Sequence, residues 1–187
     1  MKVIPLFKNE TQIIARAARN HRASQQHLYS KYSPKMLSIC RMYINDLHHA
    51  EEVMLNGFFK VFSNLASFRN EGSFEGWVRR IMIRESISFL RTERSLDFQE
   101  NGLETYSESS NNIQSGMEVE EIQNLIDALP EGYRVVFVMY AVEGYKHNEI
   151  ADILGITEGT SKSQLFKARK MLQEKLAITE NSNYGTT

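Results

Sequence analysis

The sequence predicts an all-α protein: two small helical domains joined by a flexible acidic linker, the C-terminal one a helix-turn-helix. Three observations predict it. Apolar residues recur at helical spacing through most of the 187 residues, with only three prolines and ten glycines to interrupt them. From Ser95 to Gly116 that periodicity vanishes into Asn, Ser, Glu and Gly. Charge is also partitioned. Residues 1–94 carry 15 Lys+Arg against 8 Asp+Glu, residues 95–133 carry 9 acids and no base, and residues 134–187 carry 7 bases and 6 acids. The net charge of −1 therefore conceals a basic N-terminal domain (1–94), an acidic linker (95–116) and a second domain (117–178) with a local basic face, followed by a disordered tail (179–187).

Composition narrows the function classes. With 42% hydrophobic and 24% charged residues the chain is globular. Cys40 is the single cysteine, which excludes an intramolecular disulfide, and no Cys/His spacing suggests structural zinc. Met1–Glu10 has no long apolar core and no stretch reaches membrane-spanning length, so a cytoplasmic protein without membrane insertion is expected. A Gly-rich phosphate loop, a nucleophile elbow and a metal constellation are all missing from the sequence. The expectation is a protein that is not an enzyme and needs no cofactor or metal.

Residues 10–19 read as a short helix with Ile13, Ile14 and Ala17 inward. A second helix starts near Ala23 and carries Leu28, Tyr32, Leu37, Ile39 and Tyr43, with a kink or break expected near Ser33 because Pro34 removes a backbone donor. Asn45–His49 reads as a turn. Ala50–Leu65 follows as a helix with Val53, Met54, Phe58, Val61, Phe62 and Leu65 at core spacing. His48, His49, Glu51 and Glu52 could be imagined as metal ligands, but nothing elsewhere completes such a site and a solvated helix start is the better reading.

Asn64–Ser73 is a loop by its Asn, Ser and Gly content, and it opens into the helix Phe74–Thr92. Phe74, Val78, Ile81, Met82 and Phe89 can face a core there. Arg80, Arg84, Ser88 and Arg91 fall on a separate stripe with Trp77 at its head. Cations beside an aromatic and a polar loop suit single-stranded nucleic acid, since the cations track phosphates and the aromatic and loop accept an unstacked base. A core tryptophan flanked by solvated arginines accounts for the same residues equally well.

Beyond the linker, Met117–Leu129 reads as a helix with Val119, Ile122, Leu125 and Ile126, ended by Pro130. Glu131–Val142 reads as another, with Val135, Val136, Val138 and Met139. These supply a core for Glu143–Leu172, which reads as two helices joined at Gly155. Ile150, Ala151 and Leu154 form the apolar face of the first, Ile156 plugs the corner and Thr157 caps the second. Ser161, Leu165, Ala168 and Leu172 then share one face, while Lys162, Ser163, Phe166, Lys167 and Lys170 share the other. Four bases and no acid lie between Gly159 and Gln173, as on a helix that enters the major groove. Lysines can also merely solvate a bundle, but the corner, cap and one-signed face together favour DNA. The tail after Ala177 reads as frayed.

LYSKYSPKM (28–36), AEEV (50–53), FRNEGSFEGWVRRI (68–81), ALPEGYRVVF (128–137) and EIADILGITEGTSKSQLFKARKML (149–172) occur in an order and spacing that resembles the bacterial sigma factors of the extracytoplasmic-function (sigma-70) family. The resemblance runs from about Gln12 to Leu176. It implies an alternative sigma factor that binds core RNA polymerase and directs promoter recognition and melting. Glu51, Glu52, Val53, Leu55 and Asn56 would bind polymerase. Lys60, Phe68, Arg69, Asn70, Trp77, Arg80, Arg84 and Ser88 would line the melted strand, with a flipped base held in the Asn64–Ser73 loop. Lys162, Ser163, Gln164, Phe166, Lys167 and Lys170 would read the upstream promoter element as duplex. Gln164 could reach an adenine edge and Phe166 a thymine methyl. The partners implied are core RNA polymerase, promoter DNA both duplex and melted, and, as is common in the family, an anti-sigma factor.

The chain departs from the family pattern in places. VMLNGF replaces the frequent VVQETF, so Leu55 and Asn56 stand for a polar pair. Arg84 stands where Asn is common, Ser161 for a β-branched residue, Gln164 for an Arg, Tyr140 for an Arg, and Lys146 for a capping Ser or Thr. The alternative is an autonomous helix-turn-helix regulator that binds duplex DNA without polymerase, its N-terminal domain sensing a signal or dimerising.

Overall fold

The computed structural model describes residues 10–93 and 119–183, and these are helical with no strand among them. The 95–116 linker lies outside the described residues. The chain divides into two compact units, Met1–Phe89 and Leu90–Thr187.

The N-terminal unit begins with α1 (Glu10–Ala17), which buries Ile13, Ile14 and Ala17 against α2 (Arg22–Tyr43). The His21 ring accepts the Ser24 N–H at 3.3 Å to start α2. Of the expected kink or break near Ser33, the break does not occur: α2 continues through Pro34. Pro34 and Ser30 are both exposed, so water can take the Ser30 carbonyl that the missing N–H would have bonded. Burial of Leu28, Tyr32, Met36, Ile39, Cys40 and Tyr43 on one face holds the helix together across that gap. Leu37 is only half-buried, and Met36 and Cys40 take its expected place in the core.

The next helix, α3 (Leu47–Ser63), starts three residues before Ala50 because Asp46 caps it, accepting the His49 N–H at 2.9 Å. That hydrogen bond also holds the Asp46 carboxyl below its usual range. Ala50, Val53, Met54, Gly57, Phe58 and Val61 are buried. A Cβ at Gly57 would stand 2.3 Å from Met82 Sδ, so this glycine is what lets α3 approach α4 (Phe74–Glu93). A single 3₁₀ turn, Leu65–Ser67, and a loop connect the two helices. On α4 the buried residues are Phe74, Val78, Met82, Ile83, Ser86, Ile87 and Leu90, whereas Ile81 and Phe89 are half-buried.

In the second unit α5 (Val119–Asp127) ends two residues before the expected Leu129, and its expected start at Met117 lies outside the described residues. Ile126 and, just beyond the helix, Leu129 are buried and Leu125 is half-buried, whereas Ile122, expected in the core, is 45% exposed. From Pro130, α6 (Glu131–Phe137) widens into a π-turn at Val138–Val142, closed by the Glu143 N–H on the Val138 carbonyl at 3.0 Å. Val135, Val136, Val138 and Met139 are buried as expected. The remaining elements, α7 (His147–Leu154) and α8 (Glu158–Asn183), pack on each other and on this core. The backbone of α8 stays helical to Asn183, beyond Ala177 where the sequence reads as frayed.

Candidate nucleic-acid interfaces

The corner between α7 and α8 is made by Gly155 at φ +69°, ψ +34°, with the Gly155 and Ile156 N–H groups both donating to the Ala151 carbonyl. Thr157 Oγ1 accepts the Thr160 N–H at 3.0 Å and so caps α8. On α7, where Lys146 stands in place of a capping hydroxyl, the Glu149 carboxylate accepts the Lys146 N–H at 2.8 Å and supplies half of a capping box from inside the helix. Ser161, Leu165 and Ala168 are buried, and Ser161 Oγ lies 2.9 Å from His147 Nδ1, pinning α8 to α7.

The outer face of α8 carries Lys162, Phe166, Lys167 and Lys170, all exposed, with Phe166 69% exposed. Ser163 is half-buried, and its hydroxyl donates to the Thr160 carbonyl at 3.0 Å. Gln164 is the correction: it is 3% exposed, three residues on from Ser161 on the inward side, and its side chain faces Gly132. It packs the domain and does not project toward a groove. Lys162 pairs with Glu158 at 3.2 Å and Lys170 with Glu174 at 3.9 Å, while Lys167 Nζ sits 5.7 Å from the centre of the Tyr133 ring. Exposed pairs of this kind are worth well under about 1 kcal/mol, so a phosphate competes with them easily.

One feature of this unit was invisible at the level of motifs. Tyr140 stacks on His147, ring centres 4.6 Å apart, and the Arg169 guanidinium lies over the Tyr140 ring at 5.5 Å. Tyr140 thus takes the place of a family arginine and holds another cation, exposed Arg169, beside the recognition helix. Burial, followed by the charge of Lys162, pushes the His147 pKa below its ordinary value.

In the N-terminal unit Arg80, Arg84 and Ser88 are exposed along α4, and neither arginine forms an ion pair among the described residues. Trp77 is half-buried, its ring 5.4 Å from Phe68 and 5.8 Å from Phe74. It is therefore neither a core tryptophan nor a free platform; it clamps the loop onto the start of α4. That loop turns through two left-handed residues, Asn70 (φ +56°) and Gly72 (φ +126°), which leave Arg69 and Asn70 exposed. Beneath it a cavity of about 390 Å³ opens between α1, α2 and the loop, lined by Glu10, Lys31, Tyr32, Phe68, Asn70 and Ser73 among others. Lys60 is exposed but leashed by Glu85 at 2.7 Å.

Of the expected polymerase contacts, Glu52, Leu55 and Asn56 are exposed and Glu51 is half-buried. Val53 is 3% exposed and belongs to the core, because position 53 lies one turn before Gly57 on the inward face of α3. Phe59, which motif reading passed over, is 72% exposed and lies one turn beyond Leu55. Phe58, one residue before it, is 3% exposed, and the helix turns Phe59 to the outer side beside Leu55. Among the described residues no group of three or more His, Cys, Asp or Glu is placed to hold a metal ion.

Comparison with known proteins covers both units. Residues 28–96 match the family model for Sigma-70 region 2, and residues 119–172 match that for Sigma-70, region 4. The RNA polymerase sigma-H factor of Pseudomonas aeruginosa is 25% identical, over 90% of this chain and 94% of its own length. The ECF RNA polymerase sigma factor SigW of Bacillus subtilis is 27% identical, over 78% of this chain and 84% of its own. In fold, the chain resembles the sigma factor RpoE in its co-crystal structure with the anti-sigma factor NepR from Bartonella quintana. That likeness has a TM-score of 0.54 at 20% identity and covers 82% of this chain and 96% of that one.

Proposed function

The chain belongs to the extracytoplasmic-function group of the sigma-70 family and is an alternative sigma factor; from that premise we infer how its parts divide the work of initiation. Residues 1–94 dock on core RNA polymerase and hold melted promoter DNA, and residues 117–178 read the upstream element as duplex. The chain catalyses no step of its own and acts in the cytoplasm, where polymerase and promoter are. Glu52, Leu55, Asn56 and Phe59 on the outer side of α3 offer polymerase an apolar patch with a polar rim. Surfaces such as this one and the exposed Phe166 are what an anti-sigma factor would cover.

The observation that carries this division is the exposed pair Arg80 and Arg84, on a helix whose start is locked by Trp77, Phe68 and Phe74 to a polar loop and its cavity. Single strands are held by such a combination, in which cations run along the backbone while an unstacked base leaves the strand. On α8, Lys162, Lys167 and Lys170 bond phosphates or guanine acceptors and Phe166 meets a thymine methyl. Gln164 takes no part in this contact.

Reconstitution with core polymerase, followed by run-off transcription over genomic fragments and permanganate footprinting, tests the reading. Polymerase-dependent transcripts with a melted bubble upstream of each start are expected. A chain that footprints duplex DNA alone and never associates with core would overturn it.

A further inference from the structure

The cavity beside the Asn64–Ser73 loop has a wall that strand capture does not by itself require. Helix α1 contributes Glu10, which two donors from α2 hold in place: Lys31 Nζ at 2.6 Å and the Tyr32 hydroxyl at 2.5 Å. Both converge on Oε1. Oε2 accepts no hydrogen bond among the described residues. The Lys31 hydrogen bond, followed by that of Tyr32, holds the Glu10 carboxyl below its ordinary range, so at neutral pH it is an acceptor only.

The opposite wall differs in kind. Ser73 Oγ accepts the Gly76 N–H at 3.0 Å, which leaves its own O–H to donate. Asn70 is exposed at the same rim with an amide that both donates and accepts. Half-buried Phe68 supplies apolar surface between the two walls, backed by the buried rings of Phe74 and Tyr32. A planar heterocycle stacked on the half-buried Phe68 ring would set its polar edge between the donors and the carboxylate.

We propose that Glu10 selects the base captured in this cavity, favouring bases that carry an exocyclic amine over thymine, which has none. The inference rests on the reading of the loop as the base-capturing site. An exocyclic amine donates to Oε2, as an acidic side chain accepts from the cytosine amine in a groove. Thymine in the same pose turns a carbonyl oxygen toward the carboxylate. Two acceptors then face each other, and Oε2 receives no donor from the base. Cytosine satisfies both walls, its amine on Glu10 and its ring nitrogen and carbonyl toward Ser73 and Asn70.

The test uses holoenzyme assembled from this chain and core polymerase, with short single strands copied from the non-template strand of a promoter it melts. Each position is replaced in turn by each of the four bases. One position is expected at which thymine binds about tenfold more weakly than cytosine in the wild type. In Glu10→Gln, whose amide can donate as well as accept, that ratio should fall to about twofold or less. Tyr32→Phe, which keeps the carboxylate, should retain the preference. Replacing the preferred cytosine by uracil in the wild type should reproduce the thymine loss, and this measurement needs no variant to fold. A preference that persists in Glu10→Gln, or tolerance of uracil, overturns the role of Glu10 while leaving strand capture standing. A holoenzyme that binds none of these strands removes the strand-capture reading itself.

Discussion

Lys60 shows how a single neighbour sets the strength of a contact. The resemblance puts this lysine against the melted strand, yet Glu85 holds its ammonium at 2.7 Å. The Glu85 side chain is only 15% exposed, so the pair is screened less than the lysine pairs on α8. Glu85→Gln should release Lys60 for phosphate, tightening single-strand binding by holoenzyme and steepening its dependence on log salt by about one unit. An unchanged slope would place Lys60 away from the strand. His147 makes the complementary point for stability. Its native pKa is lowered by burial and by Lys162 and Arg169, with Glu158 opposing, while the unfolded ring titrates near about 6.5. The unfolded state therefore binds the proton more readily. The stabilisation is fully present above the unfolded pKa and is lost as pH falls through the native one. Urea denaturation of the C-terminal unit should accordingly show stability falling as pH drops below about 6.5, with His147→Asn flattening that segment of the curve.

At the scale of elements, α2 tests how far a helix breaker can be overruled. Pro34 removes a hydrogen bond and costs about 3 kcal/mol against alanine in a helix interior. The helix still spans Arg22–Tyr43, because its buried face extends on both sides of the proline. Pro34→Ala touches no core contact and should stabilise the protein by about 1–3 kcal/mol, read from the urea midpoint at an unchanged m-value. This helix also marks the limit of what periodicity could show. The pattern of Ile13, Leu28, Val53 and Met82 located the helices of the first unit, and Gly155 and Thr157 located the corner of the second, because those signals are local. The inward turn of Gln164 was hidden because a polar residue between Ser163 and Leu165 reads as surface, and only the hollow beside Gly132 gives it a place inside. Spacing puts Val53 in the core while the resemblance puts it in the polymerase contact, and Phe59 belongs to neither pattern. A motif names a stretch of helix, whereas burial picks out its faces. The Glu10–Lys31–Tyr32 cluster joins residues more than twenty positions apart, and no spacing rule connects them.

In the whole molecule the two proposed DNA contacts lie on separate compact units. The net charge of −1 gives the free chain little overall attraction to DNA, and cations proposed to meet it stand on the exposed faces of α4 and α8. Each contact alone is then weak, and polymerase supplies the effective concentration that makes the pair useful. The two should fail at different steps. Lys167→Glu should lower promoter occupancy by holoenzyme by about tenfold without changing the fraction of bound complexes that open, since one phosphate or base contact is reversed in sign. Arg80→Ala with Arg84→Ala should leave initial binding within about twofold and slow opening by about tenfold or more, if those guanidinium groups meet only unpaired strand as proposed. Residues without shared partners act independently, so the triple variant should show the product of the two defects, measured as occupancy by filter binding and opening by permanganate reactivity. A triple variant no worse than its poorer parent would mean that both sets of residues serve one step, and the division of labour between the two units would have to be given up.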